Sequence, residues 1–445
     1  MRAEFSEGLS SKTIFITISI VIASILIDTS ITKISVYTGG IHGSYKDIMI
    51  YSIITIIFGI GQYILLKFIR IKEHLKNRGM ILIHKSVVIL QYLLLGFLTI
   101  SIIQMIITAS YSSILLKMVT WINYSMSIVF LGLLSTRFFS WFFMRRNKVL
   151  IAYAVSMILL CLNNVLAIVD ISYELTGQRA PDYIRPTKSS LGKLAFASNV
   201  FNSVYFVTSV MSFIATWLAT VLLLQHYSAK IGRAKYWIIV SIPLVYFLSQ
   251  FQTVLIDLFN PLRLSDPILF GTIYTLVFSA SKPVGGILFG VAFWIVSKGL
   301  SHRQVKDYMI ISGYGLLLLF TANQHQVLQL NPYPPFGLPT ISYIGLASYL
   351  ILVGVYSSAL SVANDAELRR SIRKSVEENS DLLGNIGEAQ FEDQLQKTII
   401  KKTRDLSEKI IQETGIASSL DERDIHEYVI MAINEAKRAR NSSNS

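Results

Sequence analysis

Ser86-Val-Val-Ile-Leu-Gln-Tyr-Leu-Leu-Leu-Gly-Phe-Leu-Thr-Ile-Ser-Ile-Ile-Gln-Met-Ile-Ile-Thr108 is 23 residues long and carries no charge. A helix needs about 20 mostly apolar residues to cross the hydrocarbon core of a bilayer, so this stretch reads as a transmembrane helix. The pattern recurs on either side of it. The expected spans are Thr13 to Ile27, Ile48 to Ile69, Ser86 to Thr108, Trp121 to Phe143, Val149 to Val169, Val200 to Leu224, Trp237 to Ile256, Ile268 to Ser297, Tyr308 to Phe320 and Ile341 to Val362. An unpaired amide in hydrocarbon is costly enough to leave the helix as the backbone state for all of them. The expected fold is an all-α polytopic transmembrane bundle of about ten spans, one of them interrupted, over residues 1–364. Residues 365–445 form a small cytoplasmic α-helical region.

Composition agrees. Hydrophobic residues make up 52% of the chain and charged residues 15%, against about a quarter charged in soluble domains, so the lipid bilayer is the expected partner. The net charge of +13 is topological rather than a nucleic-acid signal. Residues 365–445 hold 13 basic and 16 acidic side chains, which leaves 27 basic and 11 acidic before them. Every second short connection is basic: Arg70 to Lys85, then Arg145, Arg146 and Lys148, then Lys230, Arg233 and Lys235, then Lys298, Arg303 and Lys306. By the positive-inside rule both termini are expected in the cytoplasm, in a cell-membrane protein. Retention of the first run as a span is also expected, because no small-residue cleavage site follows it.

The run from Ile268 to Ser297 would be about 45 Å long as one helix, well beyond the core thickness. It is broken by Ser279-Ala280-Ser281-Lys282-Pro283-Val284-Gly285-Gly286. The basic loop after it favours a single net crossing, with Lys282 near mid-depth. Interrupted helices expose backbone dipoles in transporters, so Lys282, Pro283, Gly285 and Gly286 are candidate functional residues. Arg137 is a second candidate, placed to snorkel toward headgroups. Asn163 and Asn164 can line a cavity or hydrogen-bond between helices, as can Gln62 and Gln91. Asp28 falls at a span end and reads as an interface-level cap or ion-pair partner. Gly286 to Gly290 and Gly354 to Ser358 form small-residue faces for close helix approach. Pro332 to Pro339 reads as an extended, stiff connection.

No phosphate-binding loop, zinc-protease helix, nucleophile elbow or kinase motif set occurs, and the seven histidines are dispersed. No catalytic residue, metal site or cofactor is assigned, although a membrane enzyme is kept as the third possibility.

Past Val362, a helix is expected to continue out of the last span to Leu383. Arg369, Arg370, Arg373 and Lys374 on it form a basic cluster for anionic headgroups. Gly384 and Gly387 are read as its break. From Glu388 to Glu413 the positions Phe391, Leu395, Ile399, Leu406 and Ile410 form one apolar stripe. A third helix is expected after the capping box of Ser419 and Glu422. Such stripes pack on one another, on the bundle, on a second copy or on a cytoplasmic protein.

Ser281-Lys-Pro-Val-Gly-Gly-Ile-Leu-Phe-Gly290, Pro332-Tyr-Pro-Pro-Phe-Gly-Leu338 and Leu368-Arg-Arg-Ser-Ile-Arg-Lys-Ser375 resemble segments of uncharacterised archaeal multi-pass membrane proteins. The resemblance covers the C-terminal third and implies no activity. The expected function is a membrane sensor or signalling adaptor coupling the bundle to its tail. A solute transporter or channel built on the break at Lys282-Pro283 is the alternative.

Overall fold

The computed structural model describes residues 11–37, 45–72, 78–177, 183–184, 200–251, 260–298, 300, 302–323, 333–365, 368–369 and 381–414. The expected third tail helix and the connections 178–182, 185–199 and 324–332 lie outside them. The architecture is helical: α1 (Ser11–Tyr37), α2 (Tyr45–Lys72), α3 (Arg78–Thr108), α4 (Ser113–Arg145), α5 (Lys148–Gly177), α6 (Val200–Leu224), α7 (Arg233–Ser249), α8 (Pro267–Phe278), α9 (Ser281–Lys298), α10 (Arg303–Ala322), α11 (Tyr343–Asn364) and α12 (Asp381–Thr414). A two-residue antiparallel pairing joins Tyr111 to Ile184 and Ser112 to Tyr183.

Among the described residues, nine helical stretches are long and apolar enough to cross a membrane, Leu269–Lys298 counting as one. The expected span from Trp237 to Ile256, which is not among the nine, corresponds to α7, whose 17 residues reach about 25 Å at 1.5 Å per residue; 252–256 lie outside the described residues. The chain is a multi-pass membrane protein. Its lipid-facing surface is built from large apolar side chains such as Ile56, Leu82, Ile107 and Val245, each more than half exposed.

Burial is graded across the bundle. Every residue in the most apolar window of the last span, Leu338–Asn364, is enclosed, against 28% for the span in α3, which makes the last span the axis of the fold. Small residues permit that enclosure. A Cβ on Gly290 of α9 would lie 2.7 Å from the Gly313 carbonyl oxygen of α10, and one on Gly315 would lie 2.8 Å from the Ile351 amide of α11. Gly354 lies equally close to Tyr308 and Ser312. The expected small-residue faces therefore pack backbone on backbone. Gly290→Leu is expected to destabilise the bundle by about 1–3 kcal/mol, the usual range for overpacking. Thermal unfolding in detergent reads this directly, and an unchanged midpoint would contradict the close approach.

Antiparallel pairs fix which ends coincide. Ser135 of α4 donates to the Ala154 carbonyl of α5 at 3.0 Å, and Ser156 of α5 meets Thr216 of α6 at 2.6 Å. Together with the α9–α10–α11 pairing, these contacts gather the connections near 146, 232 and 300 at one end of the bundle. For these three connections the alternation in the sequence is thus a clustering in space. The same end carries α12.

The last span does not continue into the tail. It stops at Asn364, Asp365 is extended at φ −111° and ψ 112°, and its carboxylate accepts from the Leu368 N–H at 3.0 Å. An Asp that caps a new helical turn ends the old helix, which corrects the expectation of one helix from Ile341 to Leu383. Gly384 and Gly387 lie inside α12 rather than breaking it. A Cβ at Gly387 would overlap the Val362 side chain, so this glycine lets α12 lie against α11.

Candidate functional site

Pro283 organises the break in the long run. A proline ring clashes with the carbonyl four residues earlier, here that of Ser279, but is tolerated in a first helical turn. Accordingly α8 ends at Phe278 and α9 starts at Ser281, with only Ser279 and Ala280 between them. Helical hydrogen bonding resumes at once, Val284 donating to the Ala280 carbonyl at 2.9 Å. The two pieces scarcely touch, so the run does not fold back on itself. The break is narrower than expected: Gly285 and Gly286 are helical. Gly285 lies against the Phe213 ring and Gly286 against Leu317 and Phe320, which gives both a packing role.

Lys282 Nζ donates to the Asn323 carbonyl at 3.0 Å, just past the end of α10. It is therefore level with the end of α10. From there a polar chain runs inward. Asn323 Nδ2 donates to Asn163 Oδ1 at 3.3 Å, and Asn163 Nδ2 donates to the Tyr205 carbonyl at 3.1 Å. The neighbouring Asn164 donates to Ser127 Oγ at 2.7 Å, and Ser127 Oγ meets Ser348 Oγ of α11 at 2.6 Å. The two asparagines thus bridge α4, α5, α6, α10 and α11, each bond contributing about 0.6–2 kcal/mol. Gln62 and Gln91, by contrast, are buried without a hydrogen-bond partner among the described residues.

Beside Lys282 is a cavity of about 70 Å³. Lys33, Tyr205, Ser209, Gln250 and Ser281 line its polar side, and Phe206, Phe247 and Phe251 its apolar side. Drug-sized ligands need pockets of about 300–1,000 Å³, so this one suits a few waters or a small solute. Sequence reading did not find Lys33, because the first apolar run was ended at Ile27. The helix continues to Tyr37, and this delivers Lys33 to the cavity.

Asp28, one turn before Lys33, is wholly buried. Its carboxylate accepts from the Gly337 N–H at 2.8 Å, the Thr340 N–H at 3.2 Å and the Thr340 hydroxyl at 2.6 Å. Reaching across from α1, it caps the chain that enters α11, the capping role expected of it. The segment around it is a packed plug rather than an extended linker: Tyr333 stacks on Tyr111 with ring centroids 6.1 Å apart, and Phe336 meets Tyr51 edge-on at 5.7 Å. Gly337, at φ +88°, makes the turn into the short helix Leu338–Ile341. Burial, with Tyr333 beside it, pushes the Tyr111 hydroxyl above its usual range.

At the opposite end α12 is clamped to the bundle. Arg145 Nη2 lies 2.6 Å from Glu388 Oε2 and 2.7 Å from Glu392 Oε1, and Trp141 Nε1 donates to Gln390 Oε1 at 3.1 Å. Arg137 is turned toward α12 as well, 3.8 Å from Asp393 and 5.6 Å over the Tyr356 ring. The docked face is Leu382, Leu383, Ile386 and Ala389, all buried, while Phe391 and Leu395 of the expected stripe are exposed. Arg369 stacks its guanidinium 4.0 Å over the Phe391 ring and donates to the Ala363 carbonyl. Arg370, Arg373 and Lys374 lie outside the described residues.

Comparison with known proteins finds no matching family model, no matching curated protein and no matching solved structure.

Proposed function

We propose that this multi-pass protein is a membrane sensor or signalling adaptor, in which the state of the bundle sets the docking of α12 on the cytoplasmic side. One observation carries the reading: α11 is at once the enclosed axis of the bundle and the seat of α12, through Val362 against Gly387. At its other end the same helix is reached by the polar chain from Lys282 through Asn163 and Asn164 to Ser348. The cytoplasmic assignment rests on the basic connections gathered at the α12 end.

The test is a distance measurement in nanodiscs between spin labels at Lys148→Cys and Lys401→Cys, with Cys161→Ala as background. Lys282→Met and Ser348→Ala, both remote from the labels, are expected to change the population of the docked distance. Identical distributions in all variants would remove the proposal. A solute transporter or channel is the second reading, favoured by the cavity at the interrupted helix. Flux into proteoliposomes that is lost in Lys282→Met would decide for it.

A further inference from the structure

We propose that the corner joining α4 to α5 binds the headgroup phosphate of an anionic phospholipid in the cytoplasmic leaflet, and that this phosphate competes with the α12 carboxylates for Arg145. The proposal adds a partner that regulates α12, and rests on the sensor reading only for what undocking signals.

Depth is the first reason. The 33 residues of α4 span about 50 Å at 1.5 Å per residue, against about 30 Å of hydrocarbon and about 40–45 Å with the headgroups included. A helix of this length carries its last turns into the headgroup layer. Phe143, 70% exposed, brings apolar surface to within a turn of the corner, so acyl chains reach it. Arg145, Arg146 and Lys148 follow, and Arg146 and Lys148 are exposed. Lys148 also opens α5, where the Val149 N–H donates to Asn147 Oδ1 at 2.7 Å. The positive end of that helix adds to the field of the three cations.

Geometry at Arg145 is the second. Glu388 Oε2 and Glu392 Oε1 both crowd onto Nη2, at 2.6 and 2.7 Å. Nε is buried and has no hydrogen-bond partner among the described residues. Two carboxylates on one nitrogen repel each other and leave the Nε side of the guanidinium fork unused. A phosphate places two oxygens on the fork, pairing Nε and Nη2 together. Arg137 is held more loosely, 3.8 Å from an Asp393 carboxylate that Lys397 takes at 2.6 Å, so it also has charge to offer. A lipid is favoured over a free phosphate because its own acyl chains hold it at this depth, beside Phe143. Headgroup and α12 exclude each other at Arg145, since both need the same Nη2.

The experiment measures the docked distance in the full-length protein between spin labels at Ala229→Cys and Thr398→Cys, both exposed positions, with Cys161→Ala as background. Nanodiscs of phosphatidylcholine alone are compared with nanodiscs holding about one third phosphatidylglycerol, at equal ionic strength. The undocked population is expected to rise about fivefold or more with phosphatidylglycerol, the worth of one arginine near an anionic surface. In the double variant Arg146→Gln, Lys148→Gln the rise should shrink to less than about twofold. Inorganic phosphate added to phosphatidylcholine nanodiscs should leave α12 docked. The proposal is overturned if wild-type docking is the same in both lipids. It is overturned too if the double variant responds as the wild type does, which would place the lipid's action on basic residues elsewhere. Undocking by inorganic phosphate as strong as that by phosphatidylglycerol would also overturn it. Should the double variant not fold, the wild-type comparison of the two lipids and phosphate decides alone. Lipid-dependent docking without a response to Lys282→Met or Ser348→Ala keeps this site and removes the sensor reading. A response to those variants with equal docking in both lipids does the reverse.

Discussion

Asp28→Ala is expected to destabilise the bundle by about 3 kcal/mol or more, because three donors lose their shared acceptor and each buried orphan costs on the order of 1 kcal/mol or above. The carboxylate is fully buried, and its partners are the Gly337 N–H, the Thr340 N–H and the Thr340 hydroxyl. These amides stand where the chain turns into its most enclosed helix, buried away from solvent. Negative charge at a helix N-terminus also complements the positive end of the backbone dipoles. Asp28→Asn keeps one acceptor but loses that charge, so its loss should be smaller, about 1–2 kcal/mol. Thr340→Val spares both backbone bonds and should cost about 1 kcal/mol. Thermal unfolding of the three variants in one detergent gives the order. Equal losses in all three would mean that the carboxylate is not the organising acceptor.

Most of the bundle is legible in the sequence because the bilayer imposes a length and a composition on each crossing helix. Ser86–Thr108 lies within α3 as expected, and three of the four basic connections, near 146, 232 and 300, gather at one end. What escapes is set by contacts between residues far apart in the chain. Asp28 has the look of a span-end acid until Gly337, more than 300 residues away, is placed beside it. Lys33 has no local signal at all, since its meaning comes from Lys282 across the cavity. Lys282 and Pro283 were visible as a break. The extent of the break was not, because glycines serve a turn and a tight helix crossing equally well; Gly285 and Gly286 serve the crossing. The tail shows the same ambiguity. Reading Gly384 and Gly387 as a stop cut off the turns that dock, and Phe391 and Leu395 of the periodic stripe, though truly helical, are on another face. The end of the last span at Asn364 was readable in principle, for Asp365 is a favoured cap residue.

Gly387→Leu is expected to lift α12 from the bundle while leaving the bundle itself close to its native stability. A Cβ at this position already overlaps Val362, so a leucine side chain can enter only if α12 moves outward. Outward movement uncovers Leu382, Leu383 and Ile386, which are buried now. Overpacking of this kind costs about 1–3 kcal/mol, which at 1.4 kcal/mol per factor of ten raises the undocked population roughly five- to hundredfold. The ion pairs at Arg145 should matter less. They are partly exposed, at 31% for Arg145, and each pair open to solvent contributes at most about 1 kcal/mol, so losing both in Arg145→Ala should raise the undocked population no more than about thirtyfold. Trypsin cleavage at Lys401, Lys402 and Arg404 reads that population when opening is fast relative to cleavage. Faster cleavage in Gly387→Leu than in Arg145→Ala, with similar bundle unfolding midpoints, is the expected result. The opposite order would mean that charge rather than the fit of a glycine to Val362 holds α12 in place.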